Sequence, residues 1–146
     1  YNLHIMLRYD LERALISGDL DVDDLETAWN DRFKADFGYK VDKASHGVLQ
    51  DAHWSEALFG YFPTYSLGNV YAGCLFEKMT QDLQNLESDL GNGDPSCATN
   101  WLKEALQQYG SRFPAEELMS KACGKAPNVS PLVTYIERKF SEIYDL

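Results

Sequence analysis

Nowhere in this sequence do two histidines lie three or four residues apart, the spacing that lets one face of a helix grip a metal ion; its only histidines are His4, His46 and His53. An H-E-x-x-H helix is thereby excluded within the chain. Cysteine is equally sparse. Cys74, Cys97 and Cys123 are odd in number and widely spaced, with no Cys-x-x-Cys, which argues against a disulfide framework and reads as free, small core thiols in a reducing compartment. Positive charge is in deficit. Thirteen Lys and Arg face 23 Asp and Glu, a net charge of −10, and such a surface repels both the nucleic-acid backbone and an anionic membrane. No apolar run approaches the roughly 20 residues needed to span a bilayer. The N-terminus shows no basic-then-apolar signal pattern, and the expected location is cytoplasmic. No phosphate-cradling glycine loop and no Ser/His/Asp or Cys/His order stands out; Gly91-x-Gly93 is a turn signal only.

What is present is helical periodicity, and it predicts an all-α fold. Leu3, Leu7, Leu11 and Leu15 recur every four residues with Met6 and Ala14 beside them, Arg8 and Glu12 falling largely on other faces, and Gly18 ending the helix. The apolar pattern is already running at Leu3 without a cap, so the helix is expected to begin upstream, in a longer polypeptide. A second helix starts near Asp23 or Asp24, buries Leu25, Ala28, Trp29 and Phe33, and closes at Gly38. Between Gly38 and about Pro63 the period is lost in an aromatic-rich connection with room for a short strand or hairpin; connections this long are often functional. A long helix is expected from Tyr65 to Leu86, with Gly68 and Gly73 as points of close helix approach. The loop Gly91–Pro95 follows, then helices over Thr99–Tyr109 and Pro114–Cys123. A last helix is capped by Ser130, with Pro131 at its first position and Leu132, Val133, Ile136, Phe140 and Ile143 on its buried face. The whole of 1–146 reads as a single helical segment.

The segment richest in chemistry is Gly47-Val48-Leu49-Gln50-Asp51-Ala52-His53-Trp54. A carboxylate near an imidazole can fix its tautomer, so His53 is a candidate hydrogen-bond partner for a substrate carbonyl or carboxylate; the competing reading is a polar cluster that satisfies a buried loop. His46, Asp51 and His53 are a third option, as loop metal ligands, on spacing that is not diagnostic. Downstream, Tyr61 and Tyr65 within Phe59-Gly60-Tyr61-Phe62-Pro63-Thr64-Tyr65 are either phenol donors in a cleft or members of an aromatic core. His4 reads as a hydrogen-bonded packing residue.

At these residues the sequence resembles a known family. Gly47-x-x-Gln50-Asp51-x-His53-Trp54 is similar to the G-x-x-Q-D-x-H-W signature of the carboxypeptidase Taq family, and Phe59 to Tyr65 followed by Leu67-Gly68-Asn69 resembles the block after it. Tyr1-x-Leu3-His4-Ile5-x-Leu7-Arg8 with Glu12, Leu15 and Gly18 resembles the helix before it; Trp101-Leu102, Gly110, Tyr135-Ile136, Lys139 and Tyr144 look like the closing helices. The resemblance spans nearly the whole chain. It implies the C-terminal part of an almost wholly helical zincin, similar in architecture to neurolysin-like peptidases, that removes single residues from peptide C-termini with Zn²⁺ or Co²⁺. The family's metal ligands, H-E-x-x-H and a downstream Glu, and an arginine signature that lies just before the position matching Tyr1, are not in this chain. By the resemblance His53 binds substrate, Gln50 and Asp51 support it, Tyr65 and then Tyr61 are the oxyanion or carboxylate donors, and His4 and Arg8 are structural. Its implied partners are peptide substrates, the rest of the same polypeptide and a second copy, since members are commonly homodimers. The alternative is a non-catalytic helical interaction domain that keeps the fold.

Overall fold

The computed structural model describes residues 1–146. Seven α-helices and several single turns of 3₁₀-helix account for its regular structure, without a β-strand. The helices are α1 (Asn2–Ser17), α2 (Leu25–Phe37), α3 (Thr64–Asp82), α4 (Leu86–Gly91), α5 (Ser96–Ala105), α6 (Ala115–Cys123) and α7 (Ser130–Tyr144). The chain divides into two compact units, residues 1–67 and residues 68–146. None of the helices is long and apolar enough to cross a membrane.

In the first unit, α1 and α2 end where expected, at Gly18 and Gly38, both left-handed at φ 79°. A side chain at either position would strain the backbone, so glycine both stops the helix and lets the cap N–H reach back to the last turn. Leu7 and Leu11 of α1 pack on Trp29 and Phe33 of α2, with Phe37, Val41, Val48 and Trp54 around them. The buried side of α1 differs from the leucine stripe that periodicity suggests. Ile5, Leu7, Arg8, Leu11 and Glu12 are buried, while Leu3 and Met6 are 45% and 54% exposed. Arg8 and Glu12 lie inward because the loop from α2 to α3 covers that side of α1 and supplies their partners. The loop contains no hairpin. It is built of three 3₁₀ turns, Ala44–His46, Val48–Gln50 and Trp54–Glu56, each closed by local i to i+3 bonds such as Gly47 N–H to Ala44 O at 3.0 Å.

In the second unit, Cys74, Met119 and Cys123 form the buried centre, packed by Val70, Tyr71, Leu75 and Leu106. All three cysteines are free, Cys74 and Cys123 as core residues and Cys97 half-buried. The expected helix over Tyr65–Leu86 breaks in two: α3 stops at Asp82, and Leu86, 2% exposed, opens α4. Asp82 accepts from Lys78 and from the Trp101 indole at 2.9 Å, tying the end of α3 to α5. At α7 the N-cap position falls on Val129, Ser130 is the first helical residue, and the Oδ1 of Asn128, just before the cap, accepts from Ser130 N–H at 3.0 Å. The apolar stripe of α7 is present, yet Val133, Phe140 and Ile143 are 41%, 45% and 58% exposed. Periodicity records which side of a helix is apolar and is silent on what covers it.

Of the two glycines marked on α3, only Gly73 is a close approach. A Cβ there would lie 2.9 Å from the backbone N and 3.0 Å from the Cα of Leu132 on α7, whereas at Gly68 it would meet nothing within 4 Å. Backbone cannot rotate aside as a side chain can. Gly73→Ala is expected to force α3 and α7 apart at a cost of about 1–3 kcal/mol, and Gly68→Ala to stay within about 0.5 kcal/mol of the parent; thermal unfolding of the two variants measures the contrast.

Candidate active site

The site is assembled on α1. Arg8, buried, places its guanidinium between two aromatic faces, 4.6 Å from the Trp29 centroid and 4.5 Å from that of Phe62. In the plane between them its Nε donates to Asp51 Oδ2 at 2.7 Å, and Nη1 donates to the His4 carbonyl at 3.1 Å. The Asp51 side chain is fully inaccessible, and its other oxygen, Oδ1, accepts from Trp54 N–H at 2.9 Å. The ion pair thus pins the start of the 51–63 loop to α1. Trp54 follows into the core edge-on to Trp29 at 6.1 Å, and its indole N–H donates to Glu12. Gly47 is fitted to the same core: a Cβ there would lie 2.8 Å from Val41 Cγ1 and 3.3 Å from the Trp29 indole nitrogen.

Held this way, His53 emerges beside three aromatic rings. Its ring stacks on Tyr61 at 5.5 Å and 21°, meets Phe62 edge-on at 4.9 Å, and faces Tyr65 at 6.0 Å. Tyr61 and Tyr65 are themselves edge-to-face at 5.7 Å, and the Tyr65 hydroxyl lies 3.4 Å from His53 Nε2. His53 Nδ1 is buried without a hydrogen-bond partner, 4.0 Å from Asp51 Oδ1. The nearby carboxylate favours the proton on Nδ1, which leaves Nε2 as the acceptor toward Tyr65. Burial of its surroundings, followed by the neighbouring Tyr61 and Tyr1 phenols, raises the Tyr65 phenol above its ordinary value. The shift adds to the protonated form that a phenol already holds at neutral pH, so Tyr65 carries an O–H. The two phenols are accessible, 48% exposed for Tyr61 and 37% for Tyr65, so they form a donor surface.

The structure brings His53, Tyr61 and Tyr65 together, buries Asp51 next to His53 and leaves Gln50 outside the cluster. Asp51 is sealed under Arg8 and cannot touch a substrate; its place is beneath His53. Gln50 is exposed but turned away, its amide donating to the Ser45 carbonyl. It lines a cavity of about 400 Å³ with His4, Arg8, Trp29, Tyr39 and His46, to which His53, Tyr61 and Tyr65 do not contribute. His4 packs on Phe37 at 4.5 Å; burial, and then the adjacent Arg8 guanidinium, lower its pKa, so it is a neutral packing residue. His46 Nδ1 is paired with Asp42 at 2.8 Å, outside the His53 cluster. No three His, Cys, Asp or Glu side chains converge on a point that would hold a metal ion. The residues of this chain therefore do not fit the metal that the resemblance implies, and His46, Asp51 and His53 are not a ligand set. Sequence reasoning passed over Arg8 as structural and assigned Glu12 nothing. Their one signal was charge at i and i+4 on a helix otherwise spent on packing.

The comparisons agree with this architecture. The profile of the carboxypeptidase Taq (M32) metallopeptidase family matches residues 1–140, and the chain belongs to that family. Over 99% of its length it is 39% identical to thermostable carboxypeptidase 1 of Thermus thermophilus and 36% identical to carboxypeptidase 1 of Bacillus subtilis, spanning 28% and 29% of those proteins. The crystal structure of the M32 carboxypeptidase from Deinococcus radiodurans superposes with a TM-score of 0.93 at 33% identity, over 100% of this chain and 30% of that one. Metallocarboxypeptidase 1 of Trypanosoma cruzi gives 0.92 at 34%, over 96% and 30%. The chain thus spans less than a third of the length of these relatives.

The buried ion pair carries its own test. Asp51→Ala leaves the Arg8 guanidinium desolvated and unpaired, and is expected to destabilise by about 3–5 kcal/mol. Arg8→Met combined with Asp51→Leu removes both charges and is expected to destabilise less than Asp51→Ala alone, as read by thermal unfolding.

Proposed function

We propose that this chain is the C-terminal, substrate-facing part of a metallocarboxypeptidase that removes single residues from peptide C-termini, and that His53, Tyr61 and Tyr65 are its donors to the substrate. One observation carries the reading: these three polar groups are gathered, accessible, on a rigid and otherwise apolar support whose buried ion pair has no need of them. A packing cluster would hide its hydroxyls or pair them at normal distances. Here half of Tyr61 is open, Tyr65 is 37% exposed, and the Tyr65 hydroxyl stands 3.4 Å from His53 Nε2 beside the Tyr61 phenol. The curated relatives are named carboxypeptidases, which supports the reaction class.

In this reading the metal, zinc or cobalt, is held by residues outside this chain, in the remaining polypeptide of a protein as long as its relatives. What the present residues do follows from their geometry. The peptide's carbonyl or terminal carboxylate lies over the Tyr61–Tyr65 face. Tyr65 redirects its hydroxyl proton from His53 Nε2 toward the oxygen on which negative charge develops, and the bond strengthens as that charge grows. Tyr61 stacks on His53, limits its rotation and offers a second phenol. Asp51 holds the His53 tautomer from below without touching substrate, and Gln50 reaches the substrate only through the neighbouring cavity. Peptides are the partners; a cytoplasmic location agrees with the free thiols and the lack of a membrane-length helix.

In the complete protein, Tyr65→Phe is expected to lower kcat for release of C-terminal residues by about 10²- to 10³-fold, the usual effect of deleting an oxyanion donor. His53→Gln is expected to act in the same direction, and both variants to keep the parent's metal content. Kinetics unaltered by either substitution would return these side chains to packing roles. The 146-residue chain by itself is expected to release no amino acid from any peptide.

A further inference from the structure

Glu12 is the second charged side chain buried on α1, one helical turn beyond Arg8 and 6% exposed. Its contacts are with neutral donors. Oε2 accepts the Trp54 indole N–H at 2.9 Å and Oε1 accepts the backbone N–H of Gly60. These two donors bound one stretch of loop, and the residues just outside them are His53 on one side and Tyr61 on the other. Between them the loop closes on itself: the N–H groups of Leu58 and Glu56 both donate to the His53 carbonyl, at 2.8 and 3.2 Å, around Ala57 in a left-handed turn at φ 57°. The loop is therefore a pre-formed turn whose two ends are held to α1 by one carboxylate. His53 and Tyr61, the flanking residues, are the pair whose rings stack at 5.5 Å.

We propose that Glu12 is a positioning residue for the reaction: without touching substrate, it sets the spacing of His53 and Tyr61 and thereby the aim of the donor face. The proposal rests on the reading of His53, Tyr61 and Tyr65 as that face. A carboxylate suits the task because it only accepts, through two oxygens, and can satisfy two converging N–H groups at once. Glutamine, of almost the same shape, has one acceptor oxygen, and its NH₂ must confront either the indole or the Gly60 N–H. The hydrophobic contacts of the side chain survive the exchange, so the variant isolates the hydrogen bonding.

The test compares Glu12→Gln and Trp54→Phe with the parent in the complete protein. Kinetics of C-terminal residue release are measured alongside proton shifts of the His53 ring, the latter identified by their loss in His53→Asn. Misplacing reacting groups by a fraction of an ångström costs rate more than binding. Glu12→Gln is therefore expected to lower kcat roughly tenfold or more with KM within about twofold, and metal content is expected to stay unchanged. The His53 ring protons should move downfield as stacking on Tyr61 is lost. Trp54→Phe keeps an aromatic ring against Trp29 and removes one of the two donors; a smaller change of the same sign is expected, and it carries the test if Glu12→Gln does not fold. Parent-like kcat and His53 shifts in both variants would overturn the proposal, as would a fall in kcat with the His53 shifts unmoved. If the complete protein shows no carboxypeptidase activity, the functional reading fails, and the ring shifts alone decide whether Glu12 places His53.

Discussion

The first unit depends on a guanidinium and a carboxylate taken out of water together. Removing either charge alone from solvent is costly, and the pair is tolerable only because the geometry leaves little unsatisfied. Arg8 and Asp51 meet at 2.7 Å, the second Asp51 oxygen takes the Trp54 N–H, and the Arg8 plane is closed above and below by Trp29 and Phe62. These partners come from separate stretches of chain: α1, α2, and the middle and far end of the long loop. A buried ion pair is a weak source of net stability. It is a demanding selector of arrangement, since any packing that parts the two charges strands one of them. That selectivity makes a loop of single turns behave as a rigid support.

The buried carboxylates lie beneath the candidate site. Asp51 is committed to Arg8 and Trp54, and Glu12 to Trp54 and Gly60. What faces outward is an imidazole and two phenols. Tyr65, its phenol pKa raised by burial and its neighbours, keeps its proton at neutral pH as an ordinary phenol does. The division of labour also accounts for the lack of a metal cluster in this chain: its buried carboxylates are engaged with cations and N–H donors, and His46 is paired with Asp42 away from His53.

Much of the fold was legible because its determinants are local. Gly18 and Gly38 end helices by backbone sterics, and the Phe59–Tyr65 block marks the aromatic face on which His53 rests. The errors are equally physical. Tyr65–Leu86 reads as one helix because the apolar period runs through; the chain turns after Asp82, where Asp82 takes Lys78 and Trp101 and Leu86 is buried at the head of a new helix. Ser130 reads as a cap by residue type, but it is the first helical residue, Val129 holds the cap position, and the Asn128 side chain takes the Ser130 N–H. Gln50, which the family resemblance implies as a support of His53, donates to the Ser45 carbonyl from a 3₁₀ turn and lines a separate cavity.

By itself the sequence determined the all-helical class, the helix stops at Gly18 and Gly38, the aromatic loop and membership of the carboxypeptidase Taq family, because periodicity, glycine and long motifs are properties of contiguous residues. Only the tertiary structure decided that Arg8 and Glu12 are the inward anchors of α1, that Asp51 is sealed in an ion pair with Arg8, and that His53, Tyr61 and Tyr65 form one cluster. Those outcomes depend on partners 42, 43 and 48 residues apart along the chain. A charge on a helix looks solvated until the segment that desolvates it arrives from elsewhere, and no local pattern records that arrival.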